Sequence, residues 1–147
     1  MLDQAAPDFS LPATGGQTLS LAQFRGRSVV LYFYPKDSTP GCTTESQQFR
    51  DLHPEFLAAG SIVLGISRDS LKSHDNFRAK QALPFDLVSD PDETACTLFG
   101  VMKMKNMYGK QVRGVVRSTF LIGPDGTLRQ AWRLMRDPNR ARSSLHH

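Results

Sequence analysis

One stretch of the chain decides the fold, VVLYFYPKDSTPGCTTE, which spans residues 29–45. Its first part, residues 29–34, is a continuous run of β-branched, aliphatic and aromatic side chains, typical of a strand buried on both faces. Pro35 ends that strand, because proline has no N–H to donate to a sheet. Thr39 can then act as the N-cap of a helix whose first residue is Pro40. The stretch therefore predicts a strand, a turn and the start of a helix.

A cysteine, Cys42, falls in the first turn of this predicted helix, which ends at Gly60. Helix N-termini favour negative charge, so a thiol placed there ionises more readily than a free one. A weaker base is also a poorer nucleophile, and that loss offsets most of the gain in thiolate. A fast reaction at Cys42 therefore needs groups that position and polarise its substrate. We expect them in the turn 35–41 and in a cation brought from elsewhere.

Length and composition indicate one domain, residues 1–147, with 39% hydrophobic and 22% charged residues. No apolar run approaches 18 residues, so no membrane span is predicted. The N-terminus lacks the basic and apolar regions of a signal peptide. Two cysteines in a chain of this length do not make a disulfide scaffold. Together these features predict a protein of a reducing compartment, the cytoplasm.

The net charge of +4 is unevenly distributed, with 8 basic and 12 acidic residues up to Cys96 and 10 basic and 2 acidic residues after it. No aromatic residue interleaves with the arginines beyond Trp132, and no nucleic-acid-binding motif is present. We therefore interpret the basic end as a solvated tail and expect no nucleic-acid partner. Residues 134–147 are predicted to be poorly ordered.

Hydrophobic periodicity and turn residues predict the other elements. They are a hairpin of residues 9–12 and 18–21, a helical turn 21–24, strands 62–67, 85–88, 117–122 and 127–132, helices 71–81 and 92–99, and a loop or irregular strand 101–114. Asp90 and Pro91 are predicted to start the helix 92–99. The helix between strands 29–34 and 62–67 completes a βαβ unit with parallel strands. The sum is an α/β protein, a mixed sheet flanked by helices with an N-terminal β-hairpin, as in thioredoxin-like folds.

Two motifs resemble the peroxiredoxins. YPKDSTPGCTTE (34–45) resembles the active-site signature of the bacterioferritin comigratory protein (BCP or PrxQ) branch, and RSTFLIGPDG (117–126) is similar to its second motif. The resemblance runs from about residue 7 to residue 132. It implies a thiol-dependent peroxidase, active in antioxidant defence, that reduces hydrogen peroxide and organic hydroperoxides.

The resemblance also implies roles for individual residues. Cys42 would be the peroxidatic nucleophile, which a peroxide oxidises to a sulfenic acid. Thr39 would hydrogen-bond the peroxide, Arg117 would hold the thiolate and polarise the peroxide, and Pro35 would shield the site. Glu45 is expected to interact with the helix N-terminus or with Arg117. The chemistry requires no metal or flavin cofactor.

The chain departs from many relatives in the second, resolving cysteine. At the two positions where relatives carry it, five residues after Cys42 or on a later helix, this chain has Gln47 and Arg78. Cys96 remains, on an apolar helical face that favours a core role over a resolving one. We therefore hypothesise a one-cysteine cycle in which thioredoxin, glutaredoxin or glutathione reduces the sulfenic acid.

Two other functions are compatible with a thioredoxin-like fold. A thiol–disulfide oxidoreductase would need a Cys-x-x-Cys pair, whereas Thr43, Thr44 and Glu45 follow Cys42. A chaperone-like binding protein with an incidental cysteine is the remaining alternative. His53 and His74 are interpreted as ordinary surface or packing residues. We expect a monomer without a membrane partner.

Overall fold

A computed structural model describes residues 2–133 of the chain. The strands are β1 (Ser10–Ala13), β2 (Gln17–Ser20), β3 (Ser28–Phe33), β4 (Ser61–Ser67), β5 (Asp86–Ser89), β6 (Met102–Met107), β7 (Lys110–Val115), β8 (Ser118–Ile122) and β9 (Leu128–Arg133). The helices are α1 (Pro40–Ala58), α2 (Leu71–Gln81) and α3 (Thr94–Leu98), and 3-10 turns cover Thr14–Gly16 and Leu21–Phe24. The predicted tail, 134–147, lies outside the described residues.

Seven of these strands form one mixed sheet, in the order β2-β1-β5-β4-β3-β8-β9. β4 pairs in parallel with both β3 and β5, and the other neighbours are antiparallel. The predicted βαβ unit, N-terminal hairpin and mixed sheet are confirmed. Within residues 2–133, no helix combines the length and hydrophobicity that crossing a bilayer requires.

β3 lies near the centre of the sheet and divides the core into two clusters. Its side chains alternate between the faces, so Val29, Leu31 and Phe33 pack in one cluster and Val30 and Tyr32 in the other. The first cluster contains residues of α3, and the second contains residues of α1 and α2. The apolar run that predicts β3 is therefore continuous because both of its faces are buried.

Helix α3 is shorter than predicted. The expected helix of residues 92–99 begins only at Thr94, because Glu93 has a left-handed φ of 61°. Asp90 still caps the helix, but the N–H groups that donate to it lie further along the chain than expected. Its two carboxylate oxygens accept hydrogen bonds from the N–H groups of Thr94 and Cys96, each at 2.8 Å. Satisfying these N–H groups from outside the helix lets residues 91–93 form a turn instead.

The segment predicted to be irregular, residues 101–114, is a second small sheet. β6 and β7 pair as an antiparallel ribbon joined at Tyr108 and Gly109, which both have positive φ. The strand pattern is weak because Met104, Tyr108 and Val112 are exposed, so no alternation of buried and exposed side chains marks the ribbon. The turn residues with positive φ set its register instead.

Candidate active site

Cys42 is the third residue of α1 and lies in its first turn, as predicted. Thr39 precedes the helix in an extended conformation, Pro40 is the first helical residue, and the N–H of Thr43 donates to the Thr39 carbonyl at 2.8 Å. Only 1% of Cys42 is exposed. Its sulfur therefore lies in a desolvated position at the end of a helix where negative charge is favoured.

The sheet brings Arg117 to this cysteine. β8 begins at Ser118, which lies opposite Phe33, so Arg117 stands at the end of β3 from which the chain turns toward α1. Its Nη2 donates to Sγ of Cys42 at 3.4 Å, and its Nη1 donates to Oε1 of Glu45 at 2.6 Å. One guanidinium therefore links the sulfur to a carboxylate on the next turn of α1. The expected approach of Arg117 to Cys42 is found.

A glycine allows this close approach. A Cβ atom built on Gly41 would lie 3.3 Å from Nη2 of Arg117, tighter than an ordinary contact. Beside the guanidinium is an open pocket lined by Pro40, Gly41, Thr44, Glu45, Gln48 and Arg117. A small substrate in this pocket would lie against the cation that contacts the sulfur.

Glu45 occupies an environment that resists ionisation. The residue is 1% exposed, and burial raises the pKa of Glu45 to about 7, with the neighbouring Arg117 opposing the rise but not cancelling it. Burial works against the charge of Arg117, but Glu45 and Cys42 outweigh it, so the pKa of Arg117 is raised. Oε2 of Glu45 is buried and has no hydrogen-bond partner among the described residues. Glu45 therefore exchanges a proton near neutral pH, beside the cation at the sulfur.

The other two predicted site residues lie in the turn before α1. Oγ1 of Thr39 donates to the Lys36 carbonyl at 2.9 Å, so the side chain closes the turn and does not cap the helix through its oxygen. Ser38 has a φ of 63°, a left-handed conformation uncommon for residues other than glycine. Pro35 is half-buried where β3 ends. The roles of Thr39 and Pro35 toward a peroxide stay predictions.

Cys96 is also buried, but in the cluster on the opposite face of the sheet from Cys42. Both thiols are free in the structure. Burial, together with the hydrogen bond and the negative charge of Asp90, raises the pKa of Cys96 far above its ordinary value. Gln47 donates through Nε2 to Oε1 of Gln81 at 2.9 Å, and Nε of Arg78 donates to the Phe85 carbonyl at the same distance. Gln47 and Arg78 thus hold neighbouring elements together through their side chains.

The interpretation of His74 as a surface or packing residue is wrong. His74 is fully buried and belongs to a polar group, here called the Asp37–His74 cluster, made up of Tyr34, Asp37, Ser67, Asp69, Ser73 and His74. No periodicity in α2 marks it, since this helix is polar along most of its length. The available signal was Asp37, a charged residue in the turn next to Cys42. His53 packs against the ring of Phe85, as interpreted.

Comparison with known proteins assigns the family. A family model described as AhpC/TSA matches residues 2–131. The chain is 57% identical over 135 residues to the peroxiredoxin Bcp of Xanthomonas campestris, covering 90% of this chain and 84% of that protein. It is 44% identical over 132 residues to the peroxiredoxin Bcp of Bacillus subtilis, with coverage of 90% and 84%.

Solved structures agree with this assignment. The bacterioferritin comigratory protein of Xanthomonas campestris, studied for its alkyl peroxide reduction activity, matches with a TM-score of 0.86 at 54% identity, covering 94% of this chain and 88% of that one. A variant of PrxQ from Xylella fastidiosa matches with a TM-score of 0.89 at 42% identity, covering 99% and 94%.

The chain therefore belongs to the AhpC/TSA family of thioredoxin-like proteins. Within that family its high-identity relatives are the Bcp or PrxQ peroxiredoxins, and it is a thiol-dependent peroxidase of that kind. The family predicted from the two motifs is confirmed, as is the thioredoxin-like fold predicted from the order of strands and helices.

Proposed function

We propose that Cys42 is the residue that attacks the peroxide. Its thiolate attacks the distal oxygen of a hydroperoxide and displaces hydroxide or an alkoxide, so that an S–O bond forms while the O–O bond breaks. The products are the Cys42 sulfenic acid and, after protonation, water or an alcohol. The observation that carries this proposal is the hydrogen bond from Arg117 to Sγ, at the N-terminus of α1.

Arg117 has two tasks in this proposal. Its Nη2 stabilises the thiolate before the reaction and lies where it can polarise the peroxide during it. Glu45 holds the other side of the guanidinium and fixes its orientation. Thr39 supplies a hydroxyl for the peroxide, and Pro35 limits the entry of water to the site. By orienting the peroxide, these groups provide the increase in rate that thiolate formation alone cannot provide.

The sulfenic acid is reduced in a one-cysteine cycle. Two observations support this choice: Gln47 and Arg78 stand where many relatives carry the resolving thiol, and Cys96 is buried on the far face of the sheet. An external thiol, from thioredoxin, glutaredoxin or glutathione, would form a mixed disulfide with Cys42, and a second thiol would release it. We further propose that residues 1–147 form one domain that acts as a monomer in the cytoplasm, where reduced thiols are available.

Hydrogen peroxide and organic hydroperoxides are the proposed substrates. The open pocket beside Arg117 has room beyond the reacting oxygens and is bounded partly by the nonpolar ring of Pro40. This supports an alkyl substituent on the peroxide, in line with the activity studied in the Xanthomonas campestris relative.

Peroxide consumption with dithiothreitol tests the nucleophile. We expect Cys42→Ser to lose turnover and the matched variant Cys96→Ser to keep it. Parallel assays with thioredoxin and with glutathione plus glutaredoxin then identify the reductant. Mass spectrometry of the peroxide-treated protein should show a Cys42 sulfenic acid or its mixed disulfide. A Cys42–Cys96 disulfide within one chain would contradict the one-cysteine cycle.

A further inference from the structure

Asp37 anchors the turn that precedes α1, and it does so through four hydrogen bonds. Oδ1 accepts from the Tyr34 hydroxyl at 2.6 Å, and Oδ2 accepts from the Ser73 hydroxyl at 2.8 Å. Nδ1 of His74 lies 2.7 Å from the same Oδ2. The N–H of Asp37 donates to Oδ2 of Asp69 at 2.9 Å. One residue of the turn is thereby joined to the end of β3, to α2 and to the segment after β4.

The hydrogen-bond partners determine the protonation state of His74. Its Nε2 lies 3.0 Å from the Val88 carbonyl, an oxygen that can only accept, so Nε2 carries a proton. Its Nδ1 faces Asp37, whose two carboxylate oxygens also accept from the hydroxyls of Tyr34 and Ser73. Burial raises the pKa of Tyr34 well above its ordinary value, so Tyr34 stays a donor. Both ring nitrogens therefore face acceptor oxygens, and we infer that His74 donates from both of them and forms an ion pair with Asp37.

A metal ion is the competing explanation for the same residues. Asp37, Asp69 and His74 each place one possible ligand atom within 4.8 Å of the others. Those atoms already have protein partners: Oδ2 of Asp69 accepts from Ser67 at 2.5 Å and from the N–H of Asp37, and both ring nitrogens of His74 lie within hydrogen-bond distance of protein oxygens. A bound ion would have to displace these donors. The described contacts are accounted for by a buried ion pair.

This ion pair can affect the reaction because it holds the turn before α1 in place. Asp37 is followed directly by Ser38, with its left-handed backbone, and by Thr39. A left-handed residue other than glycine persists only where its surroundings hold it, and the Asp37 contacts are the holding interactions next to it. On the basis of the proposed function, we propose that His74 is a positioning residue: through Asp37 it fixes the turn that presents Thr39 to a peroxide at Cys42.

The test compares two reactions of the same sulfur. In His74→Phe the ring remains but both donors are lost, and we expect the second-order rate constant of Cys42 with hydrogen peroxide to fall about tenfold to a hundredfold, because small misplacements of orienting groups cost that much. Alkylation of Cys42 by iodoacetamide needs no oriented hydroxyl, and we expect it to change less than about threefold, since the helix and Arg117 still support the thiolate. His74→Gln keeps one N–H for Asp37 and should recover part of the peroxide rate.

A matched control separates positioning from stability. Leu128→Ala removes a fully buried side chain from the cluster on the opposite face of the sheet, and it should lower Tm while leaving both rate constants unchanged. If His74→Phe does not fold, Ser73→Ala provides the same test, because it removes a single donor to Asp37. We then expect the peroxide rate to fall about twofold to fivefold and the iodoacetamide rate to stay unchanged. The proposal is overturned if peroxide and iodoacetamide rates fall by the same factor, or if neither falls.

A spectroscopic measurement examines the ion pair independently of peroxidase activity. Long-range proton–nitrogen NMR spectra of the Cys42→Ser protein at pH 7 should show protons on both ring nitrogens of His74. A single protonated nitrogen would overturn the assignment, as would a rise in Tm on adding zinc or magnesium that is lost in His74→Phe. Loss of peroxide turnover in wild type would count against the proposed function while leaving this spectrum unchanged.

Discussion

Cys42 and Cys96 are both buried, on opposite faces of one sheet, but charges of opposite sign lie beside them. At Cys42 the Arg117 guanidinium donates to the sulfur at 3.4 Å. At Cys96 burial raises the pKa of the thiol, and the Asp90 carboxylate adds to the rise. The two buried thiols therefore differ in the sign of the charge that contacts them. A cation stabilises a thiolate, whereas an anion opposes its formation.

The largest expected effect comes from removing the cation at Cys42. In Arg117→Ala the rate constant with hydrogen peroxide should fall about a hundredfold to a thousandfold, the usual loss when a donor to a developing charge is removed. Arg117→Lys should recover little, because a single ammonium group cannot bridge Glu45 and the sulfur as the guanidinium does. Stopped-flow kinetics measure both.

Arg113→Ala is the matched control for that experiment. Arg113 is exposed and pairs with Glu93 at 2.9 Å, away from Cys42. Its loss should leave the peroxide rate within about twofold, since exposed ion pairs contribute little. Equal losses in the Arg113 and Arg117 variants would mean that overall charge, and not contact with the sulfur, governs the rate.

The next largest effect is a pH dependence of stability due to Glu45. Its pKa is about 7 in the folded protein and near 4.5 in an unfolded chain, so between these values the folded state binds the extra proton. Its contribution to the free energy of unfolding therefore falls as pH rises from about 4.5 to about 7, by about 3 kcal/mol in total. Urea denaturation at several pH values should show this slope in wild type and lose it in Glu45→Gln.

Glu55→Gln, on the exposed side of the same helix, is the control for this slope. It should preserve the wild-type dependence on pH, because it leaves the buried carboxylate of Glu45 in place. A constant stability difference between wild type and Glu45→Gln from pH 5 to pH 8 would show that Glu45 is ionised throughout that range.

A smaller effect is expected from removing the negative charge of Asp90, the carboxylate beside Cys96. Asp90→Asn removes one of the two oxygens that accept from Thr94 and Cys96, and should destabilise the protein by about 1–3 kcal/mol. It also removes the negative charge, so we expect faster alkylation of Cys96 under native conditions, detected by mass spectrometry. Asp92→Asn, at an exposed position, should change neither quantity. If Cys96 stays equally unreactive in Asp90→Asn, burial alone protects it.

The smallest expected effect comes from Gly41, which lies beside the Arg117 guanidinium near Cys42. Gly41→Ala places a Cβ 3.3 Å from Nη2 of Arg117 and should lower the peroxide rate about threefold to tenfold by displacing the guanidinium. Alanine is the better helix former, so stability should rise by up to about 1 kcal/mol. In an Arg117→Ala background the rate effect should vanish, because no guanidinium remains to be displaced. A persistent loss there would point to a change in α1 itself.

Local patterns predicted most of the fold because most elements here carry their own signals. β3 is marked by its unbroken apolar run, α1 by Pro40 and Gly60, and α2 by the Ser70 cap, whose oxygen accepts from the N–H of Ser73. Two elements differ from their predicted form. The β6–β7 ribbon has exposed side chains on successive positions, and α3 is shortened by the backbone of a single residue, Glu93.

The sequence by itself determined the chemistry available at Cys42, since a cysteine at a helix start and the two motifs are local features. Only the tertiary structure decided which distant residues meet there: the pairing of β3 with β8 brings Arg117 to the sulfur, and the packing of α2 buries His74 against Asp37. The physical reason is that hydrogen bonds and ion pairs of this kind depend on positions in space. The residues next to a position along the chain do not indicate which distant residue the sheet places beside it.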